Sequence, residues 1–121
     1  MARPGRPASP LCVYLFGSFR LARDSQFLQL PRRKVESFFA YLVLHPEAHS
    51  REKLAALLWG DFSDPQARHS LRTALFLLRQ HLGAVVLADR DTVQLDPDYP
   101  LWVDVWNFQR VKRNPKNCKR R

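Results

Sequence analysis

Residues 11–30 alternate apolar and polar side chains in the short runs that are typical of β-strands. Turn residues interrupt the alternation at Gly17 and at the pair Asp24 and Ser25, so a meander of short antiparallel strands is expected. The Asp-Ser pair lacks the glycine of the common hairpin turns, which leaves its turn type open. The side chains expected to point inward are Val13, Leu15, Phe19, Leu21, Phe27 and Leu30.

The apolar period then lengthens to that of two amphipathic helices. The first is predicted at residues 32–44, and Pro46 prevents it from continuing. The second is predicted to begin after Ser50, whose hydroxyl suits an N-cap, and to end at Trp59, a predicted core residue. The positions expected to face the core are Val35, Phe38, Phe39 and Leu42 in the first helix and Leu54, Leu57 and Leu58 in the second.

A third and longer helix is predicted at residues 65–82. Ser63 and Gln66 fit a capping box in front of it, and Gly83 suits its C-terminal end. Four leucines recur along it at the spacing of one continuous apolar stripe, which predicts the side of the helix that packs on the rest of the domain. The stripe consists of Leu71, Leu75, Leu78 and Leu82.

Two short strands are predicted after the helices, at residues 85–88 and 92–95, with residues 89–91 joining them as a hairpin. Residues 101–103 are expected to add a third short strand. Because strands and helices do not alternate as βαβ units, no parallel sheet is expected. The order of elements predicts an α+β fold of the winged helix-turn-helix type, with N-terminal antiparallel strands, three helices and a C-terminal β-hairpin wing.

The formal net charge of +9 suggests an anionic partner, but most of this charge lies near the ends of the chain. Six of the last ten residues are basic, whereas residues 11–111 contain twelve basic and eleven acidic side chains. The positions of individual arginines are therefore more informative than the total charge.

A helical projection of residues 65–82 separates the leucine stripe from a basic flank and a hydrogen-bonding front. Arginines can neutralise phosphates or bind guanine, and the front can reach base edges and thymine methyl groups in a major groove. The hairpin would carry an arginine at the tip of a wing that can enter a minor groove. The candidate DNA contacts are Arg68, Arg72 and Arg79 on the flank, His69, Thr73, Phe76 and Gln80 on the front, Arg51 in the second helix, and Arg90 and Thr92 in the hairpin.

Several ordered motifs support this interpretation. They are LFGSF at 15–19, LPRRK at 30–34, LAALLW at 54–59, LRTAL at 71–75 and LRQHLG at 78–83. Together they resemble the DNA-binding domain of the Streptomyces antibiotic regulatory protein family, which are bacterial activators with an OmpR-type winged helix. The sequence WVDVWNF at 102–108 resembles the start of that family's bacterial transcriptional activation domain. The resemblance covers about residues 11–110.

The resemblance implies a domain plan and a function. Residues 11–104 would be the OmpR-type DNA-binding domain and residues 105–121 the start of a truncated activation domain with a basic tail. Residues 1–10 hold three prolines and no periodic pattern, and are expected to be a flexible leader. The implied function is promoter activation through double-stranded DNA and RNA polymerase, and tandem binding of two copies on DNA repeats stays open. Phe76 and Leu77 depart from the polar or basic residues frequent at those positions, so the alternative is a winged-helix protein-interaction module.

The sequence lacks the motifs that would indicate an enzyme, a metal-binding protein or a membrane protein. The sequence contains no Gly-rich phosphate loop and no nucleophile elbow, so neither an enzyme nor a cofactor is expected. Pro46 separates His45 from His49 and further ligands are missing, so no metal site is expected. The longest apolar run, residues 38–44, is far shorter than the roughly 20 residues of a membrane span, and no signal peptide is recognisable. We therefore expect a cytoplasmic, nucleoid-associated protein.

Overall fold

The structure, a computed structural model, describes residues 9–106. This part of the chain has an α+β fold with three helices and seven strands in two sheets. It divides into two compact units, residues 9–29 with 98–106 and residues 30–97. Most of the predicted leader and most of the predicted activation segment and tail lie outside the described residues. The elements are β1 (Leu11–Tyr14), β2 (Arg20–Arg23), β3 (Gln26–Leu28), α1 (Arg33–Leu44), β4 (His49–Ser50), α2 (Arg51–Trp59), α3 (Asp64–Leu82), β5 (Val86–Ala88), β6 (Thr92–Leu95) and β7 (Leu101–Val103).

The first unit is a four-stranded sheet in the order β3-β2-β1-β7. The predicted antiparallel pairing of β1, β2 and β3 is confirmed. The third short strand predicted at residues 101–103 is also present. This strand, β7, pairs with β1 in parallel, so the sheet is mixed and contains one parallel pair that the sequence pattern did not predict. The pattern did not reveal this pairing because all of residues 30–97 separate the two strands, in place of one crossover helix.

The turn between β2 and β3 fixes which side chains of β3 point inward. Asp24 and Ser25 both have left-handed backbone angles, φ 54° and φ 67°, as in a two-residue type I′ hairpin turn. In the resulting register Leu21 lies opposite Leu28, so Leu28 shares the inward face with buried Leu21. Phe27 is 57% exposed, and its predicted inward orientation is wrong.

The other predicted inward positions of the first strands divide into two groups. Val13, Leu21 and Leu30 are buried as predicted, whereas Leu15 and Phe19 are half-buried.

The carboxylate of Asp104 fastens the end of β1 to the chain that follows β7. Its Oδ1 accepts hydrogen bonds from the backbone N–H groups of Leu15 at 2.9 Å and Val105 at 2.7 Å. Its Oδ2 accepts one from Phe16 at 3.1 Å, and the Asp104 N–H donates to the Val13 carbonyl at 3.1 Å. One side chain therefore satisfies three backbone donors where the ladder between β1 and β7 ends.

The second unit contains α1, α2, α3 and a three-stranded sheet in the order β4-β6-β5. The predicted apolar face of α1 is confirmed, and the rings of Phe38 and Trp59 pack with centroids 6.0 Å apart. The buried face of α2 passes through Leu54, Ala55 and Trp59. Leu57 is 58% exposed, so its predicted core position is wrong, because it projects from the opposite side of the helix.

Ser63 and Gly83 cap the two ends of α3, and the structure shows the Ser63 half of the predicted capping box. The Ser63 hydroxyl accepts a hydrogen bond from the Gln66 N–H at 3.4 Å. Gly83 ends the helix with φ 79°, and its N–H donates to the Arg79 carbonyl at 3.0 Å. The leucine stripe is confirmed, and Ala67 and Ala74 extend the buried face that it forms.

Removing the Asp104 carboxylate should destabilise the first unit. In Asp104→Ala the N–H groups of Leu15, Phe16 and Val105 lose their acceptor, so the free energy of unfolding should fall by about 1–3 kcal/mol. Urea unfolding of the whole chain measures this change. As a control, exposed Asp61→Ala should stay within about 0.5 kcal/mol of the wild type. Equal effects of the two substitutions would contradict the assigned role of Asp104.

Candidate nucleic-acid interface

Burial of the leucine stripe determines which side chains α3 presents to solvent. Arg68, Arg72 and Arg79 are exposed on the flank of the buried face. On the side away from the stripe, His69, Phe76 and Gln80 are exposed and Thr73 is half-buried. Phe76 is the most exposed of the large apolar side chains in residues 9–106, at 63%. The helix therefore carries a basic flank beside a mixed polar and aromatic front.

A cleft of about 430 Å³ opens beside the N-terminal half of α3, and we call it the arginine cleft. Residues from α2, α3 and the loop between β5 and β6 form its walls. Two carboxylates, of Glu52 and Asp91, share it with four guanidinium groups, so its side chains carry a net positive charge. Its lining residues are Ser50, Arg51, Glu52, Arg68, Leu71, Arg72, Arg90, Asp91 and Thr92.

The arginine cleft brings together five of the ten residues predicted from the sequence, namely Arg51, Arg68, Arg72, Arg90 and Thr92. Arg79 lies outside it, eleven residues beyond Arg68 and so about 16 Å further along the helix axis. His69 lies on a separate hollow of about 440 Å³, which Phe62 and Pro65 also line. Thr73, Phe76 and Gln80 do not line the arginine cleft either.

The loop between β5 and β6 is a tight turn, residues 89–92, which we call the hairpin turn. The Asp89 N–H donates to the Thr92 carbonyl at 3.0 Å. Asp89 Oδ1 accepts from the N–H groups of Asp91 and Thr92, both at 2.8 Å, and from the Thr92 hydroxyl at 3.1 Å. The aspartate side chain thus closes the turn from within, and Arg90 projects from it as an exposed residue.

Hydrogen bonding to the charged form lowers the pKa of Asp89 below its usual range. The main cause is the backbone N–H of Thr92, followed by that of Asp91 and by the Thr92 hydroxyl. The positive charge of Arg51 contributes in the same direction. The carboxylate is therefore the form that the hairpin turn stabilises.

Arg51 links the start of α2 to the hairpin turn. Its backbone N–H donates to the Asp91 carbonyl, and its guanidinium Nη1 donates to the Asp89 carbonyl, each at 2.9 Å. Just before it, β4 pairs with β6, with Ser50 opposite Thr92. The Ser50 hydroxyl also accepts from the Lys53 N–H at 3.3 Å as the N-cap of α2. The start of α2, β4, β6 and the hairpin turn, which form this wall of the arginine cleft, are thus joined to one another by hydrogen bonds.

Sequence reasoning missed two components of this arrangement. One is β4, whose two residues are too few to show a strand pattern. The other is Asp89, although an aspartate three residues before a threonine in a predicted turn is typical of side-chain capping and could have identified it.

Neither a metal centre nor a membrane span is visible in residues 9–106. No group of three or more His, Cys, Asp or Glu side chains there could hold a metal ion. The His49 ring Nε2 lies 2.7 Å from the His45 carbonyl and 4.0 Å from a Glu47 carboxylate oxygen, so the polar contacts of the His49 ring are with the neighbouring chain. No helix among these residues is long and apolar enough to cross a membrane.

The low pKa of Asp89 gives the hairpin turn a defined acid sensitivity. Because the pKa is lower in the folded turn than in the unfolded chain, the stabilisation is complete above the ordinary aspartate value of about 3.9. It is lost as the pH falls through the lowered value. The Thr92 amide chemical shift, followed by NMR, should therefore titrate with a midpoint below about 3.9.

Asp89→Asn provides the control for this titration, because it keeps an acceptor oxygen but cannot ionise. The Thr92 inflection should disappear in that variant. A wild-type midpoint at or above the ordinary aspartate value would contradict the hydrogen bonding described for Asp89.

No protein-family model, no curated protein and no solved structure matches this sequence.

Proposed function

We propose that this chain is the DNA-binding domain of a bacterial transcription activator with a winged-helix fold. In this proposal α3 enters the major groove, and the hairpin of β5 and β6 is the wing that contacts the minor groove. The observation that carries the proposal is the arginine cleft, in which Arg68 and Arg72 of α3 share one surface with Arg90 of the hairpin turn. Phosphates and groove floors are the partners that such a surface fits.

The dimensions of α3 suit this role. Its 19 residues span about 28 Å, and a major groove about 12 Å wide admits one helix. The buried leucine stripe would pack the side of α3 that faces away from the DNA, and α2 would support α3 as the first helix of a helix-turn-helix pair. Exposed His69 and Gln80 and half-buried Thr73 would supply hydrogen-bonding groups for base edges.

The charge pattern of residues 9–106 supports binding through a local surface and does not support binding through a general excess of positive charge. Residues 9–106 contain eleven basic and eleven acidic side chains and are thus formally neutral. Residues 65–88, which cover α3 after its first residue, nevertheless contain three arginines and no acidic residue. A partner attracted only by net charge would bind residues 9–106 weakly, because these residues are formally neutral. A phosphate backbone, in contrast, could contact the arginines on the flank of α3.

The remaining parts of the proposal rest on the sequence resemblance. These are the role as an activator and the contact with RNA polymerase. A non-enzymatic function and a location in the cytoplasm near the nucleoid remain expectations from the motifs that the sequence lacks. Binding of two copies to tandem repeats stays open.

A second candidate function is a protein-interaction module. Large apolar side chains are exposed at Phe76 (63%), Leu57 (58%) and Phe62 (50%). Exposed apolar groups of this kind are typical of protein contact surfaces when they are contiguous. This reading uses the same fold with a different partner.

Loss of the cleft arginines should weaken DNA binding and its salt dependence together. The triple variant Arg68→Ala, Arg72→Ala and Arg90→Ala removes three charges, so the slope of log K against log salt should become shallower by roughly 3. Fluorescence polarisation with duplexes selected from a random pool, repeated at several salt concentrations, measures this slope.

Two controls separate the cleft from other basic regions. A variant with Arg32→Ala, Arg33→Ala and Lys34→Ala removes three exposed charges at the start of α1 and should leave the slope almost unchanged. A chain ending at Arg110 lacks the basic tail and should still bind. The proposal would be contradicted if the cleft variant kept the affinity and salt slope of the wild type. It would also be contradicted if the chain without the tail did not bind DNA at all.

Phe76 distinguishes the two candidate functions. If it touches a thymine methyl group, replacing that thymine by uracil in the selected duplex should weaken wild-type binding about fourfold, as expected for one buried methyl-sized group. Phe76→Ala should lose affinity on the thymine duplex and no longer discriminate thymine from uracil. A variant that binds DNA like the wild type would instead favour the protein-interaction reading.

A further inference from the structure

We infer that Arg51 is a positioning residue for the wing, and that it acts on DNA through Arg90. This inference rests on the proposed function and deepens it, since it assigns one of the cleft arginines a task other than binding phosphate. The sequence had suggested Arg51 as a direct DNA contact. Its bonds in the structure indicate a different role.

Arg51 holds the hairpin turn on both sides of Arg90. Its guanidinium donates to the carbonyl of Asp89, the residue before Arg90, and its backbone N–H donates to the carbonyl of Asp91, the residue after it. Both bonds are 2.9 Å long, a normal length for this type of bond. One residue at the start of α2 therefore restrains the peptide group that precedes the wing-tip arginine and the carbonyl of the residue that follows it.

The restraint is effective because both of its ends are themselves fixed. On one side, Arg51 follows β4, which is paired with β6, and begins α2 directly after the N-cap Ser50. On the other side, the Asp89 carboxylate closes the hairpin turn through Asp91 and Thr92. Arg51 thus joins a capped helix to a capped turn, and the orientation of Arg90 toward the arginine cleft depends on this joint.

The two roles of Arg51 predict different energetics. A direct phosphate contact would act independently of Arg90, so the losses from removing each residue would add. A positioning residue would lose its effect once Arg90 is absent, because nothing would remain to be positioned. The coupling between the two residues is therefore the decisive observable.

Arg51→Met removes the guanidinium donors and the charge, keeps an unbranched stem, and leaves the backbone bond to Asp91 in place, so the hairpin turn should persist. In the free 121-residue chain, ¹⁵N relaxation should show the order parameter of the Arg90 amide falling from about 0.85 toward about 0.6. Unchanged order parameters at residues 89–92 would overturn the inference without any reference to DNA.

DNA binding by Arg51→Met, Arg90→Ala and the double variant completes the test, with the selected duplexes used above. Each single variant should bind several-fold more weakly, and the double variant should bind within about twofold of Arg90→Ala. The salt slope of the double variant should differ from the wild type by about 0.9, the value for one phosphate contact. Additive losses with a slope change of about 1.8 would make Arg51 an independent phosphate contact and overturn the inference.

Arg33→Met, at an exposed arginine outside the arginine cleft, is the matched control and should change neither the order parameters nor the binding. If the wild-type chain itself fails to bind DNA, the proposed function fails and the role of Arg51 in DNA binding falls with it. That outcome is distinct from failure of the inference alone, in which the wild type binds and the two arginines act additively.

Discussion

Burial of one face of α3 is the constraint on which the rest of the second unit depends. Six side chains at helical spacing, from Ala67 to Leu82, are removed from water together. Burying one leucine contributes roughly 1.5–3 kcal/mol, so rotation of the helix about its axis would expose several such groups at once. This fixed rotation decides that Arg68 and Arg72 face the arginine cleft and that Phe76 faces solvent. The chemistry available to a partner follows from the packing.

The side of the cleft that the hairpin turn forms is held by hydrogen bonds, since the hairpin turn has little apolar surface to bury. Its residues 89–91 are all exposed, and its shape depends on the Asp89 carboxylate and the two bonds from Arg51. The candidate interface thus combines a helix fixed by its buried face with a turn whose hydrogen bonding depends on the ionisation of Asp89. Segments that must adjust to a binding partner typically have a low local stability, as expected for a turn held mainly by hydrogen bonds.

The sequence predicted what depends on local patterns. The stripe, the Ser63 cap and the end at Gly83 are short-range features of α3, and all three are confirmed. Phe27 and Leu57 were misassigned because both are apolar residues beside buried ones, and only the strand register and the rotation of α2 show that they point outward.

Interactions between distant parts of the chain could not be predicted. The parallel pairing of β7 with β1 joins segments about 90 residues apart in sequence, as does the bond from the Leu15 N–H to Asp104. At the candidate site, the arginines of α3 were found from periodicity. The gathering of Arg51, Arg68 and Arg90 around one cleft depends on the packing of three segments and leaves no trace in the spacing of residues.

If the flank of α3 and the hairpin turn contact the same DNA molecule, NMR mapping of the bound chain should detect both contacts. A duplex selected from a random pool would be titrated into the ¹⁵N-labelled full chain, with the arginine side-chain Nε–H signals recorded beside the amides. The largest shifts should occur at Arg68, Arg72 and Arg90, with little change in α1. Shifts confined to residues 107–121, with the arginine cleft unaffected, would contradict it.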